Sequence, residues 1–192
     1  MKVFLDVGAN NGQSLAAAML PQWGFDRIYC FEPAPACWPY LTKMADGRVK
    51  IKRFGLWDRD AEMPLFQPGT KGAGMWKKDR GTIDETEVCR FARAADWMRK
   101  HIKPDDSVFL KLNCEGAECD ILDDLLDSGE FAKVSYLMVD FDVRKIATLA
   151  HREEQMKARL AEFGHPRVST SKEVMRGETH IDRINNWLSL CH

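Results

Sequence analysis

Val3-Phe4-Leu5-Asp6-Val7-Gly8-Ala9-Asn10-Asn11-Gly12-Gln13-Ser14 is the stretch whose reading decides the fold. Residues 3–7 suit a buried strand with one acid set among apolar residues. The chain then passes a polar turn carrying Gly8 and Gly12 and runs into Ser14-Leu15-Ala16-Ala17-Ala18, which favours helix. A strand that turns through glycines into a helix leaves free backbone N–H groups at the strand's carboxyl edge, where such sheets bind ligands. Asp6, two residues before the turn, aims a carboxylate at the same crevice. Arg27-Ile28-Tyr29-Cys30-Phe31-Glu32-Pro33 reads as a second strand ending in an acid. Glu32 lies twenty residues past Gly12, the spacing at which a carboxylate takes a ribose hydroxyl pair. An ordinary βαβ unit would need both turn and acid by coincidence, so the nucleotide-binding reading is preferred.

The 192 residues make most simply one domain with a real core. A net charge of −1 argues against a nucleic-acid or acidic-membrane partner. No apolar run reaches membrane-spanning length, and a strand starting at Val3 leaves no room for a signal peptide. The six cysteines form no C-x-x-C pair, and several fall in strand-like runs. Buried reduced thiols and a cytoplasmic location are therefore expected. The five histidines are scattered singly, which does not suggest a zinc site.

Further along, 35–44 has helical spacing, 49–57 alternates as a third strand, and 62–66 returns as a short edge strand with Pro64. Residues 67–86 contain five glycines and prolines and no clear period, the mark of a lid or binding loop. Within it an exposed Met75-Trp76 pair is flanked by Lys71, Lys77, Lys78 and Arg80. A short strand is expected at 88–92 and a helix at 93–102. Residues 107–112 read as a central parallel strand. A helix over 118–128, a strand over 134–141 and a long amphipathic helix over 146–163 follow. The tail is read as two strands, 165–174 and 184–190. The expected fold is α/β, a Rossmann-like, mostly parallel sheet with helices on both faces and an antiparallel final strand.

A second chemical cluster follows the central strand, in Lys111-Leu112-Asn113-Cys114-Glu115-Gly116-Ala117-Glu118. A lysine inside such a strand is costly unless it meets an acid. Asp6 and Asp140 are the available partners, and a head that snorkels out at the strand end is the even alternative. Glu118 suits a helix-start acid, whereas Glu115 is the stronger functional candidate.

Phe4-Leu5-Asp6-Val7-Gly8-Ala9-Asn10-Asn11-Gly12 resembles the S-adenosylmethionine (SAM) loop of FkbM-type methyltransferases. Tyr29-Cys30-Phe31-Glu32-Pro33 is similar to that family's second motif, and residues 110–118 to its lysine-isoleucine-aspartate-x-glutamate-glycine-alanine-glutamate block. The glycine-rich loop before Lys77-Lys78 and the strand ending Asp140-Phe141-Asp142 look like family features too. The resemblance spans residues 3 to 142 and implies a class I SAM-dependent O-methyltransferase acting on a sugar, glycan or related hydroxyl. It implies that the cofactor is held by Asp6, Gly8, Ala9, Asn10, Gly12, Ser14, Glu32, Pro33 and Gly55, with Glu32 on the ribose hydroxyls. Asn113 stands where the family usually has aspartate, and Asp140-Phe141-Asp142 where related members have glutamate-tryptophan-histidine.

Candidates for the base are Glu115 and Asp142, with Asn113 able only to orient the acceptor or ligate a metal. A divalent metal on Asp140 and Asp142 is the alternative to a protein base, and Asp142 could instead cap a helix near Arg144. Cover for the acceptor is expected from the 67–86 loop, from the tail or from a second subunit, so an oligomer would fit. The competing classes are a SAM-binding scaffold without activity and a nicotinamide-dependent oxidoreductase. The latter normally carries G-x-G-x-x-G, which this turn lacks.

Overall fold

The computed structural model describes residues 1–70, 72–76, 85–164, 167–174 and 176–191. In chain order the first half holds β1 (Lys2–Val7), α1 (Gln13–Ala18), β2 (Arg27–Phe31), α2 (Trp38–Met44), β3 (Val49–Lys52), β4 (Gly55–Trp57), β5 (Ala61–Phe66) and β6 (Thr86–Arg93). The second half holds α3 (Ala94–His101), β7 (Ser107–Leu112), α4 (Glu118–Asp127), β8 (Val134–Val139), α5 (Arg152–Phe163), β9 (Arg167–Thr170), α6 (Ser171–Val174) and α7 (His180–Ser189).

Six strands form one sheet in the order β3-β2-β1-β7-β8-β9, every neighbouring pair parallel. Counted within this sheet the order is 3-2-1-4-5-6, that of a doubly wound fold. Such a sheet binds ligands outside the carboxyl ends of the strands where the order reverses. Here that point is the gap between the ends of β1 and β7.

Side-chain alternation along the strands builds two cores. Val3, Leu5 and Val7 face one way with Tyr29, Phe31, Leu110, Leu112, Leu137 and Val139, beneath α3, α4 and α5. Phe4, Ile28, Cys30, Phe109 and Met138 face the other way, beneath α1, α2 and α7. A second sheet of order β4-β6-β5 packs onto the first core through Leu56, Leu65, Cys89 and Phe91.

The tail departs from the sequence reading. β9 runs parallel to β8, not antiparallel, because α5 returns the chain to the starting edge as a crossover helix does. Most of the region expected as a last strand at 184–190 lies in α7, where Ile184, Trp187 and Leu188 share one buried face. Thr179 and Asp182 close a capping box at its start. Antiparallel pairing occurs instead between β5 and β6. The strand expected over 49–57 breaks at Arg53-Phe54 and serves both sheets, as β3 and β4. The helix expected from 146 begins at Arg152, after a short 3-10 turn at Asp142–Lys145. No helix among the described residues is long and apolar enough to cross a membrane, and all six cysteines are free thiols.

Candidate functional site

The floor of the site is an ion pair. Lys111 and Asp6 stand opposite each other in the register of β1 and β7, with Lys111 Nζ 2.9 Å from Asp6 Oδ1 and both residues buried. Lys111 also donates to the carbonyl of Gly8 at 2.8 Å and to that of Val7 at 3.4 Å. Of the two partners open to this lysine in the sequence, Asp6 is the one it meets. Asp6 lies under the loop and, unlike the sequence expectation, is not among the residues that line the cavity above it.

Gly8 has φ +78, and a Cβ there would stand 2.0 Å from the carbonyl oxygen of Asn113. The exits of β1 and β7 approach this closely only because no side chain separates them. Gly8→Ala is expected to cost more than the about 1–3 kcal/mol of a strained backbone alone, because a carbonyl must also move. Gly24→Ala is the control: φ is +59, and nothing lies within 4 Å of the added carbon. Urea unfolding of the two variants should show the larger midpoint drop for Gly8→Ala, and equal drops would disprove the close approach. Gly12, at φ +85, faces Met44 of α2, with an added Cβ 2.5 Å from its methyl. It shapes the start of α1 and, unlike the sequence expectation, does not line the cavity.

Above this floor lies a cavity of about 690 Å³, within the roughly 300–1,000 Å³ of small-molecule and cofactor sites. Gly8, Ala9 and Asn10 line it from the first loop, Ser14 from the first turn of α1, Glu32 and Pro33 from the end of β2, and Gly55 from the start of β4. Glu32 is 5% exposed, and its carboxylate accepts from Asn10 N at 2.7 Å and Ala34 N at 2.9 Å. Burial raises its pKa, and the two backbone donors oppose that rise. Asn10 takes φ +47, and its side-chain amide donates to the carbonyl of Thr70 at 2.9 Å.

On the other wall Asn113, Glu115, Asp140 and Asp142 meet as the sequence expects. Glu115 has φ +56 and Gly116 φ +117, a sharp exit from β7. Glu118 folds back onto that exit and accepts from Cys114 N at 2.9 Å and Gly116 N at 3.0 Å. It holds the loop rather than simply marking a helix start, and burial pushes its pKa up to about 7. Asp142, 1% exposed, is also pushed up to about 7, first by burial and then by the charges of Glu115 and Asp140. Lys145 stands between the two acids, 2.8 Å from Asp142 Oδ2 and 3.4 Å from Glu115 Oε2. Asn113 Oδ1 is buried without a hydrogen-bond partner among the described residues, an acceptor that a bound hydroxyl could satisfy.

A divalent metal does not fit this donor set. Asp140 is taken by Arg144 at 2.8 Å and by Ser171 Oγ at 2.8 Å, and Asp142 by Lys145. Among the described residues no three metal-binding side chains gather at one point.

The cavity has walls that the sequence reading missed. Lys145 ends the short turn after β8, and Glu178, Thr179, His180 and Arg183 come from the start of α7 and the two residues before it. His180 Nε2 lies 3.0 Å from Ser14 Oγ, which ties the tail to the first loop. The Thr179–Asp182 box was the available signal for that helix. From the expected lid, Thr70 and Ala73 line the cavity. Met75 is buried in the first core, and Trp76 is half-buried against Gly116, so the pair packs inward rather than forming exposed surface. Lys71, Lys77, Lys78 and Arg80 lie outside the described residues.

No family model matches the sequence, and no curated protein does. Among solved structures, the crystal structure of methyltransferase FkbM from Methylobacillus flagellatus KT is similar, with a TM-score of 0.50 at 18% identity. What the two chains share is the fold. The match covers 81% of this chain and 37% of that one, so this chain spans little more than a third of its neighbour.

Proposed function

We propose that this protein is a SAM-dependent methyltransferase that methylates a hydroxyl of a sugar, glycan or related small molecule. The arrangement of Glu32 carries the reading. Its carboxylate stands at the end of β2, beside the gap where the strand order reverses, clamped by Asn10 N and Ala34 N. A carboxylate has about four acceptor sites, so room remains for a ribose hydroxyl pair from the cavity side. Gly8, Ala9 and Asn10 bring backbone close under the same ligand, and Pro33 and Gly55 border its nucleoside end.

The bound cofactor supplies an electrophilic methyl on a sulfonium. The chain's own task is to hold the acceptor oxygen in line with it, the geometry from which most of the rate derives. Asn113 Oδ1 accepts from a hydroxyl of the acceptor and orients it. Asp142, ionised, takes the reacting proton as the oxygen attacks, and Glu115 keeps Asp142 basic enough to do so. Thr70 and Ala73 belong to the segment that covers the acceptor.

Glu32→Ala should weaken SAM binding by about 1.5–3 kcal/mol, the loss typical of charged hydrogen bonds. Calorimetry checks this, with NAD and NADP titrated in parallel. Unchanged SAM affinity removes the assignment, and tight NAD or NADP binding in its place returns the chain to the oxidoreductase class. SAM binding without turnover across a glycan panel would leave the scaffold reading.

A further inference from the structure

We infer that the start of α7 forms a subsite for a zwitterion, the amino-acid end of the cofactor, with Arg183 taking the α-carboxylate and Glu178 the α-ammonium. The inference rests on the SAM reading and extends it to a segment that no motif covers.

Three lysine or arginine side chains line the cavity among the described residues: Lys111, Lys145 and Arg183. Lys111 is consumed by Asp6 and the Gly8 carbonyl, and Lys145 by Asp142 and Glu115. Arg183 donates its Nε to the Gly177 carbonyl at 3.2 Å, and no carboxylate among the described residues pairs with its guanidinium. That bond folds Arg183 back over the turn that carries Glu178, so both charges occupy one corner of the cavity. No cation among the described residues pairs with Glu178. The backbone start of the helix plays no part, because Thr179 and Asp182 already cap it.

The position of this corner selects the ligand part. The His180–Ser14 bond sets it over the first turn of α1, beside Asn11 and Gln13, on the cofactor loop. The carboxylates expected to face the acceptor stand on the opposite wall, at the ends of β7 and β8. A guanidinium and a carboxylate lining the same corner, neither paired with an opposite charge among the described residues, match the opposite charges of an α-amino acid, and a planar guanidinium suits a carboxylate in bidentate contact. A simple anion would meet repulsion from Glu178.

Calorimetry on the full chain with SAM and with decarboxylated SAM tests the subsite. The wild type should bind SAM about tenfold or more tightly than the decarboxylated ligand. Arg183→Met should lose that margin, with SAM about tenfold weaker and the decarboxylated ligand unchanged. Glu178→Gln should weaken SAM severalfold. Arg183 is half-exposed, so the variant is expected to fold, and a thermal melt checks it. Equal binding of both ligands by the wild type, or an equal loss of both in Arg183→Met, overturns the subsite alone. A wild type that binds neither ligand removes the cofactor reading and the subsite together.

Discussion

Lys111→Met should lower the free energy of unfolding by about 3–5 kcal/mol, the cost of stripping one partner from a buried ion pair. Asp6, fully buried, would be left without the cation that now stands 2.9 Å from it. The double variant Asp6→Leu with Lys111→Met should regain most of that stability, because an apolar pair of similar volume escapes the desolvation penalty. It should not regain ligand affinity. Lys111 also holds the Gly8 carbonyl at 2.8 Å, and neither replacement can donate to it. Urea denaturation and SAM calorimetry on the same three proteins separate the effects. If Lys111→Met alone unfolds like the wild type, the pair is not the floor of the site.

Asp142→Asn should cut turnover by about 10²–10⁴-fold, the usual worth of a general base, with SAM affinity retained. Burial together with the charges of Glu115 and Asp140 pushes the Asp142 carboxyl up to about 7. The base works only when ionised, so wild-type kcat/KM should rise with pH through about 7 and then level. Asp142→Asn should lack that limb, and Glu115→Gln should move it to lower pH by removing one raising charge. Stability carries the opposite sign. A carboxyl that titrates at about 7 when folded and at its ordinary 3.8 when unfolded holds its proton longer in the folded state. Its contribution is thus lost as pH rises between those values, and the asparagine variant should lack that loss. A pH–rate profile unchanged by Asp142→Asn would leave positioning alone as the source of catalysis.

The part of the site legible in the sequence is the part whose chemistry is local. Gly8, Asn10 and Glu32 follow the ends of two strands joined through one helix, and strand-turn-helix spacing places them at one sheet edge before any long-range contact is known. The apolar run of β7 likewise announced a central strand, and its position beside β1 followed. The choice between Asp6 and Asp140 as partner of Lys111 was not legible, because it depends on register between strands about a hundred residues apart. Nor was the fate of Asp6 and Gly12, whose side of the loop is set by what packs beneath it.

The tail shows the same division more sharply. Its helical period and capping box were present in the sequence, yet the apolar residues Ile184, Trp187, Leu188 and Leu190 also allow a strand over 184–190. Packing decides between them: Ile184, Trp187 and Leu188 bury one face against Phe4 and Phe109, and only a helix presents all three to that core. By itself the sequence determined an α/β chain with a nucleotide-type loop and an acid at the end of its second strand, since those features need only neighbours in the chain. Tertiary structure alone decided that α7 would wall the cavity and that Lys145 would stand between Glu115 and Asp142. Residues from separate elements meet there through burial and charge pairing, which no local spacing encodes.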